Sequence, residues 1–307
     1  MMQRPGIYSQ SSFTVQFLLL FGLCAAGLIF SQFLFISFTF LQQGFSTENV
    51  MKVLETFGED GDTLRSMQFF QTAIAFLFPA LLAARLFGGD EKKYLFLETP
   101  VSGKSIAWAV IGILVAIPMI NALAWLNEQI RLPESMSGIE TFFKTSEESV
   151  RNAMNLMLYT DNPATLLMNV LIVAVLAAVS EEFLFRGVLQ NIFGKMISNP
   201  HLVIWVVAVI FSAVHFQFYG FIPRILLGAY LGYLLYYSKS MLVPVIAHFA
   251  NNFVSIIPYY KANPAVISEL DAIGTDSNWW LAVVSFFVWL VMFSAFKKSC
   301  KIETKEI

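Results

Sequence analysis

Long apolar stretches separated by short polar segments run along the whole chain. A helix needs about 20 mostly apolar residues to cross the hydrocarbon core of a bilayer. The pattern therefore predicts an all-α polytopic membrane protein with about eight transmembrane helices. The predicted spans cover approximately residues 14–40, 66–88, 104–126, 163–190, 201–218, 222–238, 241–258 and 279–296.

The composition strengthens this prediction, since 57% of the residues are hydrophobic and only 13% are charged. Soluble domains carry about 25% charged residues, so this chain has too few charges for a surface that faces water. The net charge of −2 gives no basic field of the kind that attracts nucleic acid. We therefore expect lipid around the protein and no nucleic-acid partner.

The Lys and Arg residues are distributed unevenly among the polar segments. More of them flank the spans on the side of the N-terminus, and those on the other side lie mostly in longer acidic segments, such as the predicted external loop 41–65. Cytoplasmic segments of membrane proteins carry the excess of Lys and Arg. We therefore expect a bacterial inner-membrane protein with both termini in the cytoplasm.

One segment between the predicted spans has the pattern of an amphipathic helix. Within residues 138–158, Thr145 and Glu148 have the spacing of a capping box, and apolar residues such as Val150 and Met154 follow at helical spacing. We expect this helix to lie on the outer surface of the membrane. Packing against the bundle is favoured over a gating role.

The end of the fourth predicted span carries three charged residues, which are costly inside a membrane. Glu182 and Arg186 are four positions apart, so they can form an ion pair on a helix. Glu181 points about 100° away from Glu182 and lacks that local partner. We therefore predict that Glu181 takes part in chemistry and that Glu182 and Arg186 support the structure. A charge cluster at the cytoplasmic end of the helix is the alternative.

Two histidines lie inside later apolar stretches. His215 follows Phe211 by four positions, so the aromatic ring can pack beneath the imidazole and help to fix it. His248 precedes Asn252 by four positions, so both side chains project from one helix face. Such residues can also serve only to bridge helices by hydrogen bonds. Polar faces on three separate spans favour a shared site instead.

A carboxylate, two imidazoles and a carboxamide suit hydrolysis. Glu181 and His215 could hold and deprotonate a water, while His248 and Asn252 could donate hydrogen bonds to the oxyanion on the scissile carbonyl. The G-x-S-x-G and H-E-x-x-H motifs are absent. This scheme requires no cofactor, although Glu181, His215 and His248 could instead bind Zn²⁺ with water as the fourth ligand.

Three motifs occur in order along the chain: E-E-x-x-x-R from Glu181, F-x-x-x-H from Phe211 and H-x-x-x-N from His248. Together they resemble the CPBP family of CAAX proteases and bacteriocin-processing enzymes, also called type II CAAX prenyl endopeptidases, over about residues 160–258. The resemblance implies eight helical spans and a cavity open towards the cytoplasm. It also implies a first-motif glutamate acting as base with the second-motif histidine, an oxyanion hole from His248 and Asn252, and a mechanism without metal.

We accordingly divide the chain into three regions. Residues 1–158 form a three-span region with the external amphipathic segment, residues 159–260 form the catalytic core of the CPBP type, and residues 261–307 hold the last span and a basic cytoplasmic tail. The expected activity is that of an intramembrane endopeptidase, acting as a monomer on a peptide or lipidated peptide near the membrane.

Two other functions fit some of the same residues. The site could be retained without catalysis in a protein for bacteriocin self-immunity or in a membrane scaffold. An ion-coupled transporter could use Glu181, Glu182 and Arg186 as a relay. A transporter should, however, show broken spans in both halves of the chain, whereas the polar groups here lie in one half.

Overall fold

The computed structural model of the chain describes residues 5–44, 46, 58, 60–262 and 264–306. These residues form helices and no β-strand, apart from one isolated bridge between Thr160 and Tyr260. The predicted all-α class is confirmed, while most of the predicted external loop 41–65 lies outside the described residues. In chain order the helices are α1 (Phe13–Gln43), α2 (Gly61–Gly88), α3 (Glu91–Tyr94), α4 (Gly103–Val115), α5 (Ile117–Glu128), α6 (Ser137–Leu158), α7 (Pro163–Gly194), α8 (Pro200–Ala213), α9 (Phe221–Ser238), α10 (Leu242–Ile256), α11 (Pro264–Asp271) and α12 (Trp279–Glu306).

The number of spans differs from the predicted eight. Within the described residues, five helices are long and apolar enough to cross a membrane: α1, α2, α7, α10 with the turn that follows it, and α12. Helices α4 and α5 make a sixth crossing if they count as one span bent by 41°. Pro118, at the start of α5, explains this bend, because proline has no N–H and its ring clashes with the preceding turn.

Helices α8 and α9 correspond to the predicted spans 201–218 and 222–238, which are not confirmed as independent spans. Helix α8 has 14 residues, about 21 Å of helix, and is too short for a hydrocarbon core of about 30 Å. It ends at Ala213, so His215 lies in the turn beyond the helix rather than inside a span. The two helices pack closely as a hairpin between the longer spans.

Apolar clusters on both sides of this region hold the bundle together. One cluster joins α1, α2, α7 and α8, and includes Ala84, Val188, Ile192 and Val207. The other joins α4, α9, α10 and α12, and includes Ile113, Leu231, Leu234, Val243 and Phe296. Helix α7 thus belongs to one cluster and α9 and α10 to the other, and α7 and α10 carry most of the predicted site residues.

Helix α6 is the predicted amphipathic segment, but its start was predicted wrongly. The helix begins at Ser137, and Thr145 lies in its interior, where its carbonyl accepts a hydrogen bond from Ser149. An ion pair of 2.7 Å between Glu140 and Lys144 connects the two turns that precede the expected cap. At its other end, Met157 and Leu158 are buried and anchor α6 to the bundle.

The contact between α8 and α9 allows a test of the packing. A Cβ atom added at Gly228 would lie 3.2 Å from Ala208 and from the ring of Phe211. We expect Gly228→Val to destabilise the protein by about 1–3 kcal/mol through overpacking, measured as a lower apparent Tm in detergent. Gly22→Val is the matched control, because nothing lies within 4 Å of a Cβ atom at that position. Equal Tm values for the two variants would contradict the close helix contact.

Candidate active site

Helix α7 carries Glu181 and Glu182 and is not a regular α-helix. It contains two π-helical segments, Val170–Leu176 and Glu182–Leu189. Such segments are rare in proteins overall, but those that occur are often found at functional sites. The wider turn changes the direction of the side chains. Glu181 is the last residue of the α-helical stretch between them, and Glu182 is the first residue of the second π-helical segment.

The two adjacent carboxylates lie in different surroundings. The side chain of Glu181 is 22% exposed to solvent, whereas that of Glu182 is fully buried. Arg186 Nη1 donates to Glu182 Oε1 at 2.9 Å, and Arg186 Nη2 donates to the carbonyl of Gly228 at 3.1 Å. The structure thus forms the ion pair that the four-residue spacing predicts, and it joins α7 to α9.

Glu182 also binds His248, which the sequence did not predict. His248 Nδ1 lies 2.7 Å from Glu182 Oε1, so the imidazole donates to this carboxylate. On the other side of the ring, His248 Nε2 lies 3.8 Å from Glu181 Oε2. The buried carboxylate therefore fixes the orientation of His248 and directs its Nε2 towards the exposed carboxylate of Glu181.

The ring of Phe211 lies between the charged pair and the two histidines. The guanidinium of Arg186 stacks over this ring, 4.4 Å from its centroid. The imidazoles of His215 and His248 contact it edge to face, with centroid distances of 5.1 and 6.2 Å. His215 Nδ1 lies 2.7 Å from the carbonyl of Phe211. This hydrogen bond places the proton on Nδ1 and leaves Nε2 as an acceptor.

Asn252 is held in place by two hydrogen bonds. Its Nδ2 donates to the carbonyl of Val173 at 3.1 Å, and its Oδ1 accepts from Asn251 Nδ2 at 3.2 Å. A carboxamide carries two N–H donors, so one N–H of Asn252 is left after the bond to Val173. Val173 belongs to the first π-helical segment, and this segment therefore takes part in positioning Asn252.

The four predicted catalytic side chains line one cavity of about 430 Å³, which lies within the range of small-molecule sites. Residues from α6, including Val150, Met154 and Leu158, form part of its wall. Several polar residues of the cavity were not predicted as site residues, among them Gln217 and Arg224. The signal for Arg224 was a single cation inside the apolar run of α9.

Residues 163–254 match the family described as type II CAAX prenyl endopeptidase Rce1-like. All three motifs fall inside this segment, so the predicted family resemblance is confirmed there. The chain also resembles a protein of Bacillus subtilis (strain 168) named "Uncharacterized protein YpbD", with 32% identity over 85 residues. That alignment covers 26% of this chain and 40% of the relative. No solved structure matches the chain.

The cavity of the Rce1-like segment lies towards the face of the bundle opposite the termini. Its wall includes residues before Glu181 on α7 and residues after His248 on α10, together with α6. If the bent pair α4–α5 is one span, α1, α2 and this pair cross in turn, and α6 and the start of α7 lie opposite the N-terminus. Cytoplasmic termini would then place the cavity on the exterior side, and the expected orientation and the expected opening towards the cytoplasm both stay predictions.

Binding of Zn²⁺ by Glu181, His215 and His248 stays a prediction. Across the described parts of the chain, no group of three His, Cys, Asp or Glu side chains is arranged to hold a metal ion. The Nδ1 of His248 is hydrogen-bonded to Glu182, which was not among the predicted ligands. The steps proposed below use only side chains of the protein.

The buried pair of the Rce1-like segment can be tested through stability. Removing one partner of a buried ion pair costs about 3–5 kcal/mol, because the other charge stays buried alone. We therefore expect Glu182→Gln to lower the free energy of unfolding by about this amount, measured by denaturation in detergent. Glu91→Gln is the matched control, since the pair of Glu91 with Arg85 is exposed and such pairs contribute about 0–1 kcal/mol. A similar small loss in both variants would contradict the structural role of Glu182.

Proposed function

We propose that the protein is a membrane-embedded endopeptidase of the CAAX type, in which Glu181 activates a water that hydrolyses a peptide bond. The observation that carries this proposal is the approach of Glu181 Oε2 to His248 Nε2 at 3.8 Å, in a cavity that also contains His215 and Asn252. A carboxylate that is partly exposed in a largely apolar cavity is suited to hold one water and to take its proton.

In the first step, Glu181 and His215 bind the water. The Glu181 carboxylate accepts a hydrogen bond from one O–H of the water, and His215 Nε2 accepts a hydrogen bond from the other O–H. The oxygen then attacks the carbonyl carbon, the new C–O bond forms, and the proton moves to Glu181. In the second step, the C–N bond breaks and the leaving amine takes the proton from Glu181, so that the carboxylate is regenerated.

The negative charge on the carbonyl oxygen is stabilised by His248 and Asn252. Asn252 contributes the Nδ2–H that Val173 does not use. His248 donates its Nδ1–H to Glu182, so a donor at Nε2 requires the doubly protonated imidazolium. The Glu182 carboxylate, which accepts the Nδ1–H, and the oxyanion itself compensate this cation after Glu181 has taken the proton of the water. One such donor contributes about 10²–10³ in kcat in other hydrolases.

The protein acts as a monomer under this proposal, because one chain supplies all of these side chains. We place it in a bacterial inner membrane with both termini in the cytoplasm, and its substrate is a peptide or lipidated peptide at the membrane. Since the matched segment covers less than half of the relative's length, neither the substrate nor the activity is taken from that relative.

Replacement of Glu181 tests the mechanism. We expect Glu181→Gln to lower kcat by at least about 100-fold, because the amide cannot take the proton of the water, with little change in apparent Tm. Cleavage would be followed by mass spectrometry, with the purified protein in liposomes, on a farnesylated peptide and on a library of membrane peptides. Glu269→Gln, at an exposed position on α11, is the control and should retain full activity.

Undiminished cleavage by Glu181→Gln would rule out the proposed base. The unsubstituted protein could instead cleave no peptide but take up a solute in the presence of an ion gradient. That result would favour an ion-coupled transporter over an endopeptidase. If neither activity were measured, a non-catalytic role would be favoured.

Removal of metal by chelators tests whether the protein side chains alone are sufficient for hydrolysis. We expect activity to persist after dialysis against EDTA and 1,10-phenanthroline, with less than stoichiometric metal by elemental analysis, because each step uses only protein groups. Loss of activity that Zn²⁺ restores would instead assign Glu181, His215 and His248 to a metal centre.

A further inference from the structure

The turn that carries His215 is bound by a side chain from a distant helix. Helix α8 ends at Ala213 and α9 begins at Phe221, so His215 lies in the turn 214–220 between them. Later in this turn, the carbonyl of Phe218 accepts a hydrogen bond of 2.7 Å from Asn127 Nδ2. Asn127 lies in the last turn of α5, 91 positions before Phe218.

The backbone of this turn needs support from its surroundings. Phe216 is left-handed, with φ of 53°, which is unfavourable for a bulky residue. Its side chain is 70% exposed, so it does not anchor the turn in the bundle. Unfavourable backbone conformations persist where surrounding contacts determine them. The contacts of Phe218 are therefore important for the position of His215.

Hydrogen bonds within the hairpin of α8 and α9 fix the shape of the turn but not its place in the bundle. Ser212 Oγ donates to the carbonyl of Phe221 at 2.8 Å and joins the two ends of the turn. Gln217 Oε1 accepts from Arg224 Nη2 at 2.7 Å, again within the hairpin. Because both bonds would move with the hairpin, they cannot set the distance between the turn and Glu181 on α7.

Asn127 supplies a contact from another helix. It is only 2% exposed, although the adjacent Leu126 is 54% exposed, so the carboxamide faces the protein and binds the turn. Burial of a carboxamide is unfavourable unless it is hydrogen-bonded. Phe143 of α6 stacks on the ring of Phe218, with 5.0 Å between the centroids. Asn127 and Phe143 both precede the Rce1-like segment 163–254.

We propose that Asn127 is a positioning residue, which holds the carbonyl of Phe218 and thereby keeps His215 in place to bind the attacking water. This inference rests on the proposed function and assigns part of the site to the region before the matched segment. Asn127 acts through the backbone of the turn and does not contact the substrate. A displacement of about 1 Å at a reacting group can cost about 100-fold in rate, so loss of this contact should affect kcat more than KM.

Hydrogen–deuterium exchange, followed by mass spectrometry in detergent, tests the contact without depending on cleavage. The probes are the amides of residues 214–216, which donate to carbonyls at the end of α8. We expect Asn127→Leu to raise their exchange rate about tenfold, because a buried hydrogen bond that holds the turn is lost. Asn127→Gln keeps an N–H donor and should restore part of the protection.

Asn121→Leu is the matched control on the same helix. Asn121 Nδ2 donates to the carbonyls of Leu270 and Ile273 at 3.0 and 3.2 Å. The control therefore removes hydrogen bonds of the same kind to a different segment of the chain. It should leave the exchange of residues 214–216 unchanged.

Cleavage of the farnesylated peptide and the peptide library distinguishes positioning from stability. We expect Asn127→Leu to lower kcat by about 10–100-fold, with KM within about twofold of the unsubstituted value. Asn121→Leu should keep kcat even where its apparent Tm falls as much. A purely structural role would lower Tm in both variants and leave kcat per folded molecule unchanged in both.

Unchanged exchange in Asn127→Leu would overturn the inference, whether or not any peptide is cleaved. So would faster exchange with an unchanged kcat, or equal losses of kcat in the variants of Asn127 and Asn121. If Asn127→Leu does not fold, Asn127→Ser gives the same comparison with a polar side chain that is too short to reach Phe218. Absent hydrolysis by the unsubstituted protein rejects the proposed reaction, and the exchange rates still decide whether Asn127 holds the turn.

Discussion

The arrangement of the site depends on one buried carboxylate with two partners. Glu182 Oε1 accepts from Arg186 Nη1 at 2.9 Å and from His248 Nδ1 at 2.7 Å. An unpaired carboxylate in this interior would be very unfavourable, so the three side chains must be placed together. Through them α7 is tied to α10, and the bond from Arg186 to the carbonyl of Gly228 ties it to α9. The same contacts that offset the burial of charge also set the positions of the helices that surround the cavity.

The local contacts of the site could be predicted from the sequence, whereas the contacts between helices could not. The pair of Glu182 with Arg186 and the contact of Phe211 with His215 follow from spacings of four residues along one turn. The bond between Glu182 and His248 joins residues 66 positions apart, and no pattern along the chain specifies it. For the same reason the sequence assigned Glu182 to support alone, although the structure shows that it also orients an imidazole.

The errors in the predicted elements come from backbone features that hydropathy does not detect. The apolar run of α8 continues past Ala213, but the helix stops, and Phe216 adopts a left-handed conformation with φ of 53°. Such a conformation is uncommon for a bulky residue, so no pattern along the chain predicts the turn that carries His215. The π-helical segments of α7 were missed likewise, because the apolar residues of Val170–Leu176 would also suit an ordinary α-helix.

The position of the cavity on the face opposite the termini restricts how a peptide can reach it. If the excess of Lys and Arg does hold both termini in the cytoplasm, the cleft accepts chains only from the exterior of the cell. A polypeptide would then have to be exported, at least in part, before it met Glu181. The proposed endopeptidase would then act after translocation, on secreted or surface-exposed segments.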